Sequence, residues 1–331
     1  MRRLLQSIVT LTDATDAAEV LKHCLDKDDI YKFLQPISGE GSLFNTEYAV
    51  GKVRRQVFLP SYTPEKLSIY TDPMWRQSVR LTEALAPYAG KGPFRIEYIL
   101  GGFCFDNIIG AADIEELRDE FSSAQMSFFF VSCLRLVVQR WTSLWMQTDL
   151  LHRLSSNHRE MDKLLQNVFA DSDRPFVKED LTRTPYLDMV IKESLRIFSI
   201  VPFILRKTHT DTKLPCGRVI PAGAGIGIAI YSVLRDPKYW GPDADHFDPE
   251  RFLPERVATV PDIAYKPFSY GPRSCPGYKF AQNVIKIGLC AILRRYKVVG
   301  TPAAGPVPHI ATKYEIARRP VDDHIELVNR S

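Results

Sequence analysis

Cysteine is scarce in this sequence, and its spacing excludes two common kinds of cysteine-rich protein. The 331 residues include six cysteines that lie far apart, with no C-x-x-C pair and without the dense spacing of a small disulfide scaffold. The pattern favours free thiols in a reducing compartment. The six positions are Cys24, Cys104, Cys133, Cys216, Cys275 and Cys290.

Charge of one sign and long hydrophobic runs are also lacking. The formal net charge of +4 is small for this length, and the scattered lysines and arginines form no nucleic-acid-binding footprint. The most apolar stretch, MSFFFVSCLRLVV at 126–138, is too short to span a bilayer and carries Arg135. We therefore expect no nucleic-acid partner, and no transmembrane segment in this sequence.

What remains is the composition of an ordinary folded protein. Apolar residues make up 45% of the chain and charged residues 25%, and no Gly/Ser linker or charge block divides it, so we predict one domain over residues 1–331. Apolar spacing predicts a mostly helical first two thirds, and a segment rich in Ile, Val and Thr after Pro202 predicts two or three short strands. The fold class is therefore mainly α with small β-sheets. Helices are predicted near residues 13–35, 72–86, 96–110, 113–140, 157–168, 185–201 and 278–296.

Cys275, in the stretch FSYGPRSCPG, is the residue most indicative of chemistry. Four interpretations are open: a buried free thiol, a zinc ligand, a thiol nucleophile that uses one of the seven histidines, or a thiolate ligand to haem iron. No second Cys or His stands at zinc-finger spacing, and no local signature of a cysteine hydrolase is present. A thiolate needs stabilisation as an anion, which the N-terminus of the helix predicted from Tyr278 can provide.

The neighbours of Cys275 suit the fourth interpretation. Gly271 and Gly277 allow the backbone to approach a flat macrocycle, and Arg273 can pair with a carboxylate at its edge. Phe268 can pack against the ring and shield the sulfur. These five positions match the pattern F-x-x-G-x-R-x-C-x-G, and the stretch resembles the cysteine loop of the cytochrome P-450 family, the haem-thiolate monooxygenases. The resemblance implies a bound haem b, iron protoporphyrin IX, with Cys275 as the ligand to iron.

Two further motifs are similar to those of the same family. KESLR contains its E-x-x-R pair, Glu193 and Arg196, which share one face of the predicted helix. Arg251 in FDPERF resembles the residue that completes a Glu-Arg-Arg cluster in this family. The resemblance implies that these three side chains form a structural cluster that supports the cysteine loop from below.

Two arginines outside the cysteine loop resemble haem-propionate ligands of the family. Arg206 follows the E-x-x-R helix on a predicted strand, although a strand-edge arginine facing water is an alternative. Arg55 takes the arginine position of the W-x-x-x-R motif, whereas Gly51 stands where the tryptophan is expected. The implied cofactor-binding residues are Cys275, Arg273, Phe268, Gly271, Gly277, Arg206 and Arg55.

The resemblance departs from the family in the middle of the chain. The motif [AG]-G-x-[DE]-T of the long central helix that crosses the distal face of the haem is missing, so no catalytic side chain is assigned. The segments that resemble the family before and after this missing motif are separated by too few residues to form a helix of about 20 residues. We expect an incomplete fold with an internal deletion near Lys163–Ala170 and a truncated N-terminus. Residues 1–165 would form a diverged, mostly helical substrate-side part, and residues 166–331 the haem-binding proximal part.

The resemblance implies a monooxygenase that inserts one atom of O2 into a small apolar substrate, with electrons from an NADPH-dependent reductase. It also implies the cytoplasmic face of the endoplasmic reticulum membrane, although this sequence contains no anchor. A non-catalytic haem-binding remnant of such an enzyme is the alternative hypothesis. A thiol hydrolase that uses Cys275 is a third, and iron content separates it from the other two.

Overall fold

The computed structural model describes residues 8–34, 43, 45–112, 158–170, 172–299, 312–314, 318–320 and 324–330. Helices and strands in these residues alternate with several single turns of 3₁₀ helix. The helices are α1 (Ala14–His23), α2 (Tyr48–Phe58), α3 (Pro64–Ile69), α4 (Thr71–Leu85), α5 (Glu97–Ala112), α6 (His158–Phe169), α7 (Pro185–Ile197), α8 (Ile230–Val233), α9 (Pro237–Trp240), α10 (Pro254–Val257) and α11 (Tyr278–Arg295). The strands are β1 (Ile8–Leu11), β2 (Phe94–Arg95), β3 (Ile204–Lys207), β4 (Thr212–Lys213), β5 (Val219–Ile220), β6 (Gly225–Ile228), β7 (Tyr296–Val298), β8 (Thr312–Tyr314), β9 (Arg318–Pro320), β10 (His324–Ile325) and β11 (Leu327–Asn329).

The chain forms two compact units, and the first contains a small mixed sheet with the cysteine loop. It combines the segments Met1–Leu59, Arg196–Asp245 and Pro254–Pro276. Its sheet has the order β1-β6-β3, with β1 parallel and β3 antiparallel to β6. Apolar side chains of α1 pack against those of β6 in its core, because alanine, valine and leucine recur at helical spacing on one face of α1.

Helix α1 begins where the sequence provides a cap. The Asp13 carboxylate accepts hydrogen bonds from the backbone N–H groups of Thr15 and Asp16, at 2.8 and 3.2 Å. The same carboxylate accepts a 2.7 Å hydrogen bond from Lys238 Nζ at the start of α9. This cap fixes the position of α1 within the first unit.

The second unit is built around helices α4, α5 and α11. It combines the segments Pro60–Leu195, His246–Leu253 and Gly277–Ser331. Helix α4 packs against α11 on one side and α5 on another, and it buries Met74, Ser78, Leu81 and Leu85 at helical spacing. The Tyr296 hydroxyl, directly after α11, donates a 2.7 Å hydrogen bond to the Thr82 carbonyl and joins the two helices.

The predicted fold class, mainly α with small β-sheets, is confirmed. The predicted helices near 72–86, 96–110, 157–168, 185–201 and 278–296 correspond to α4, α5, α6, α7 and α11. Four short strands, β3 to β6, follow α7 where two or three were predicted. The helix predicted near 113–140 lies outside the described residues, as do the residues before α6 on which the internal-deletion hypothesis depends.

The prediction of one continuous helix over residues 13–35 is wrong. Helix α1 ends at His23, and a separate 3₁₀ helix covers Asp29–Leu34. The Asp28 side chain accepts a hydrogen bond from the Ile30 backbone N–H, a local contact that competes with continuous helix.

None of the described helices is long and apolar enough to cross a membrane.

Candidate functional site

The cysteine loop, residues 268–277, is closed by its own backbone hydrogen bonds. The Cys275 N–H donates to the Phe268 carbonyl at 3.0 Å, and the Ser274 N–H donates to the Gly271 carbonyl at 3.0 Å. Residues Gly271–Arg273 form a turn of 3₁₀ helix. Cys275 is half-buried and forms no disulfide bond with another described cysteine, and the closed loop holds its sulfur on the first unit.

The two glycines of the loop differ in how strongly the structure requires them. Gly271 has a φ of +75°, and a side chain there would overlap the backbone carbonyl oxygen of Leu21 in α1. A Cβ atom at Gly277 would lie 3.5 Å from the Tyr62 ring, an ordinary van der Waals contact. The fold of the chain itself therefore requires glycine at 271, whereas the described residues leave room for a Cβ atom at 277.

Arg273 lies against α2 rather than in solvent. Its Nε donates to the Leu25 carbonyl at 3.0 Å, and its Nη2 donates to the Thr46 carbonyl at 2.7 Å. The guanidinium carbon lies 5.5 Å from the centre of the Tyr48 ring, within cation–π range. Desolvation lowers the pKa of Arg273, the nearby Asp26 carboxylate opposes this effect, and Arg55 adds to it.

Arg206 is buried, although arginine on an edge strand normally reaches water. It lies on β3 with 1% of its surface exposed, which excludes the water-facing alternative. Its Nη1 donates to the neighbouring Leu205 carbonyl at 3.0 Å, and its buried Nε has no hydrogen-bond partner among the described residues. Desolvation lowers the pKa of Arg206 to about 10. A buried cation with an unused donor indicates a place for an anionic ligand.

Lys27 joins these arginines, although its sequence context is not that of a binding residue. Burial strongly lowers the pKa of its ammonium, and the positive charges of Arg206 and Arg273 lower it further. Lys27 also lies 4.7 Å above the Tyr31 ring. Aspartates flank it in the sequence LDKDD, a pattern typical of a solvated surface, so no local signal identified it.

Arg55 links these cations to the cysteine. Desolvation lowers the pKa of Arg55, whereas the negative charge of a Cys275 thiolate would raise it, as would that of the Tyr48 side chain. The Arg55 guanidinium therefore lies within electrostatic range of the Cys275 sulfur. Lys27, Arg55, Arg206 and Arg273 are named the cation cluster below.

The three predicted structural residues are buried in the protein. Glu193 is fully buried, and its Oε1 accepts a 2.8 Å hydrogen bond from the Asp248 N–H and lies 3.7 Å from Arg251 Nε. Arg196 on α7 is also fully buried, with its guanidinium carbon 5.0 Å from the centre of the Trp240 ring. Its Nη1 donates to the Leu234 and Ala244 carbonyls at 3.1 and 2.6 Å. Each charged group therefore fixes irregular backbone, as buried hydrogen-bonded groups do.

The cation cluster fits the acidic edge of a haem. Two propionates bring two negative charges and several hydrogen-bond acceptors, which would pair with the unused Arg206 donor and relieve the repulsion among the desolvated cations. The half-buried thiol of Cys275, within electrostatic range of Arg55, suits an iron ligand. Among the described residues Cys275 is not part of any group of three His, Cys, Asp or Glu side chains, as a protein zinc site would need.

Comparisons with known proteins identify a family and several relatives that this chain resembles. A family model described as Cytochrome P450 matches residues 150–327, more than half of the 331-residue chain. The chain is similar to "Probable cytochrome P450 313a1" of Drosophila melanogaster, with 40% identity over 150 residues that cover 44% of this chain and 30% of that protein. It is also similar to "Cytochrome P450 4V2" of Rattus norvegicus, with 44% identity over 149 residues that cover 44% of this chain and 28% of that protein.

The coverage of these relatives is partial. The matched regions span 28–30% of the lengths of the two relatives. The family model nevertheless extends from residue 150 through the E-x-x-R helix, β3 and the cysteine loop to residue 327. A match of that extent shows that the chain belongs to the cytochrome P450 family.

Proposed function

We propose that this chain binds haem b through the Cys275 thiolate and acts as a haem-dependent monooxygenase. The observation that carries the proposal is the buried Arg206, whose unused Nε donor belongs to the same cation cluster as Arg55 and Arg273. Family membership supports the choice of haem as the ligand. Bound haem would supply O2 activation and the transfer of one oxygen atom to an apolar organic substrate.

The residues of the chain would hold the cofactor from two sides. Cys275 would ligate the iron, and Arg55 would favour the thiolate form of the ligand. Arg206, Arg273 and Arg55 would bind the propionates, and Lys27 would add a fourth cation. Phe268 would shield the sulfur from water, and Gly277 would leave space beside the ring. Glu193, Arg196 and Arg251 would keep the supporting backbone in place.

The partners follow from the family. Electrons would come from an NADPH-dependent reductase, and O2 and a small apolar substrate would be consumed together. The cytoplasmic face of the endoplasmic reticulum membrane is the proposed location. Residues 1–165 would form the substrate side and residues 166–331 the haem-binding side.

The absorption spectrum of the haem-reconstituted, reduced protein under carbon monoxide tests the proposal. Thiolate ligation predicts a red-shifted band that is lost in Cys275→Ala and kept in Cys216→Ala, a matched control at an exposed free cysteine. A wild-type chain with no haem, or with an unshifted band, would refute thiolate ligation. If the band is present, NADPH oxidation and product formation with reductase then separate a monooxygenase from a haem-binding protein without turnover.

A further inference from the structure

One face of α2 carries a notch that is occupied by an arginine from the cysteine loop. Tyr48, Gly51 and Arg55 follow one another at i, i+3 and i+7, so they lie on the same side of the helix. A Cβ atom at position 51 would lie 2.7 Å from Arg273 Nη1 and 2.9 Å from Thr46 Cγ2. Real Cβ atoms do not approach that closely, so the Arg273 guanidinium fills the space that a side chain at 51 would take.

Three groups hold Arg273 in this notch. The Leu25 and Thr46 carbonyls accept from Nε and Nη2, and the Tyr48 ring lies 5.5 Å from the guanidinium carbon. Nη1 is the guanidinium nitrogen that lies nearest to position 51. Arg55, the next residue of the same helical face, lies close enough for its charge to lower the pKa of Arg273.

We propose that Tyr48 is a positioning residue: its ring holds the Arg273 guanidinium in the Gly51 notch, so that Arg273 and Arg55 bind the anionic edge of the cofactor together. The proposal rests on the proposed function, because the anion is a haem propionate. It assigns Gly51 a role as well, since only a residue without a side chain leaves the notch open. The tryptophan expected at position 51 from the W-x-x-x-R motif would therefore be harmful in this chain.

The choice of the ring rather than the hydroxyl of Tyr48 follows from the contacts. The Tyr48 backbone N–H donates to Asp26 Oδ1 at 2.8 Å, which fixes the start of α2, and the ring is the part that reaches Arg273. A cation over an aromatic face is attracted by the ring quadrupole, which phenylalanine retains and leucine lacks. Tyr48→Phe and Tyr48→Leu therefore separate the two roles.

The experiment measures the rate of haem loss from the reconstituted protein to excess apomyoglobin. Tyr48→Leu is expected to lose haem about 3- to 10-fold faster than wild type, and Tyr48→Phe to stay within about twofold. Gly51→Trp is expected to lose haem about tenfold faster or more, because the inserted side chain displaces Arg273. Val53→Trp is the matched control, since Val53 is 64% exposed on the same helix and can accept the larger side chain.

Gly51→Ala separates loss of the notch from loss of the fold. Alanine favours helix more than glycine does, so the substitution should not lower the unfolding free energy of the haem-free protein by weakening α2. Haem should nevertheless be lost faster than from the wild-type protein. Circular dichroism and urea unfolding of each haem-free variant provide this comparison.

The outcomes distinguish the two proposals. The role of the ring would be overturned if Tyr48→Leu lost haem at the wild-type rate, or if Tyr48→Phe lost it as fast as Tyr48→Leu. Neither result would affect thiolate ligation. Tighter haem binding in Gly51→Trp would overturn the role of the notch. A wild-type chain that takes up no haem would overturn the proposed function and this inference with it.

Discussion

The backbone carbonyl oxygen of Leu21 occupies the space into which a side chain at Gly271 would project. This close approach joins α1 to the cysteine loop four residues before Cys275. It explains the glycine at 271 from the fold alone, without reference to the cofactor. The position of the sulfur therefore depends on packing between two segments that are far apart in the sequence.

Replacement of Gly271 by alanine should damage the loop even in the haem-free protein. We expect Gly271→Ala to lower the unfolding free energy by about 1–3 kcal/mol, because it combines a positive φ with a backbone overlap. Gly277→Ala is the control, and it should change the unfolding free energy by no more than about 0.5 kcal/mol, since its Cβ atom would make an ordinary contact. Urea unfolding measures both values, and equal effects of the two substitutions would contradict the explanation.

Replacement of Arg206 should change stability and haem retention in opposite directions. Arg206→Leu removes a desolvated cation with an unused donor, so the haem-free protein should be equally stable or more stable, by about 0–2 kcal/mol. The same variant should lose haem faster, because a propionate loses a buried charged donor.

Thermal unfolding of the haem-free form and haem transfer to apomyoglobin measure the two effects of Arg206→Leu. Arg218→Leu at an exposed position is the control and should leave haem transfer unchanged. Marked destabilisation of haem-free Arg206→Leu would show that the arginine has a structural role instead.

The sequence predicted those parts of the site that depend on short-range pattern. The cysteine loop, the E-x-x-R helix and the place of Arg206 on a strand could be identified from local motifs, and β3 carries Arg206 as expected. The partners of Arg273 could not, because Leu25 and Thr46 are more than 220 residues away in the sequence. Lys27 could not be identified from the sequence for the same reason, since its partial burial depends on the fold around it and not on its neighbours in the chain.

The cysteines should differ strongly in reactivity toward a thiol reagent. Burial raises the pKa of Cys290 to about 12, so this thiol should remain unlabelled at pH 8 until the protein unfolds. Cys216 is exposed and should react first, and Cys216→Ala should remove that fast phase. Haem should protect the half-buried Cys275 and leave Cys216 unaffected. Mass spectrometry of the labelled peptides measures each site, and rapid native-state labelling of Cys290 would contradict its burial.

Asp29 should make the first unit sensitive to acid, because it lies two residues after Lys27 and bonds to Lys207 on β3, the strand that carries Arg206. Hydrogen bonds from Lys207 and Lys32, each 2.8 Å long, lower the pKa of the Asp29 carboxyl to about 2. A carboxyl with a lower pKa in the folded state stabilises the protein fully above its unfolded pKa of about 4, and this contribution is lost as the pH falls toward 2.

The stabilisation from Asp29 should be small, because its side chain is 40% exposed and solvent screens the pair. We expect about 0.5–1 kcal/mol at neutral pH. Asp29→Asn should lower stability at pH 6 by that amount and leave it nearly unchanged at pH 2, as measured by urea unfolding at both pH values. Asp245→Asn, at a 67% exposed partner of Arg235, is the control. An Asp29→Asn effect of the same size at both pH values would show that the carboxylate charge does not stabilise this contact.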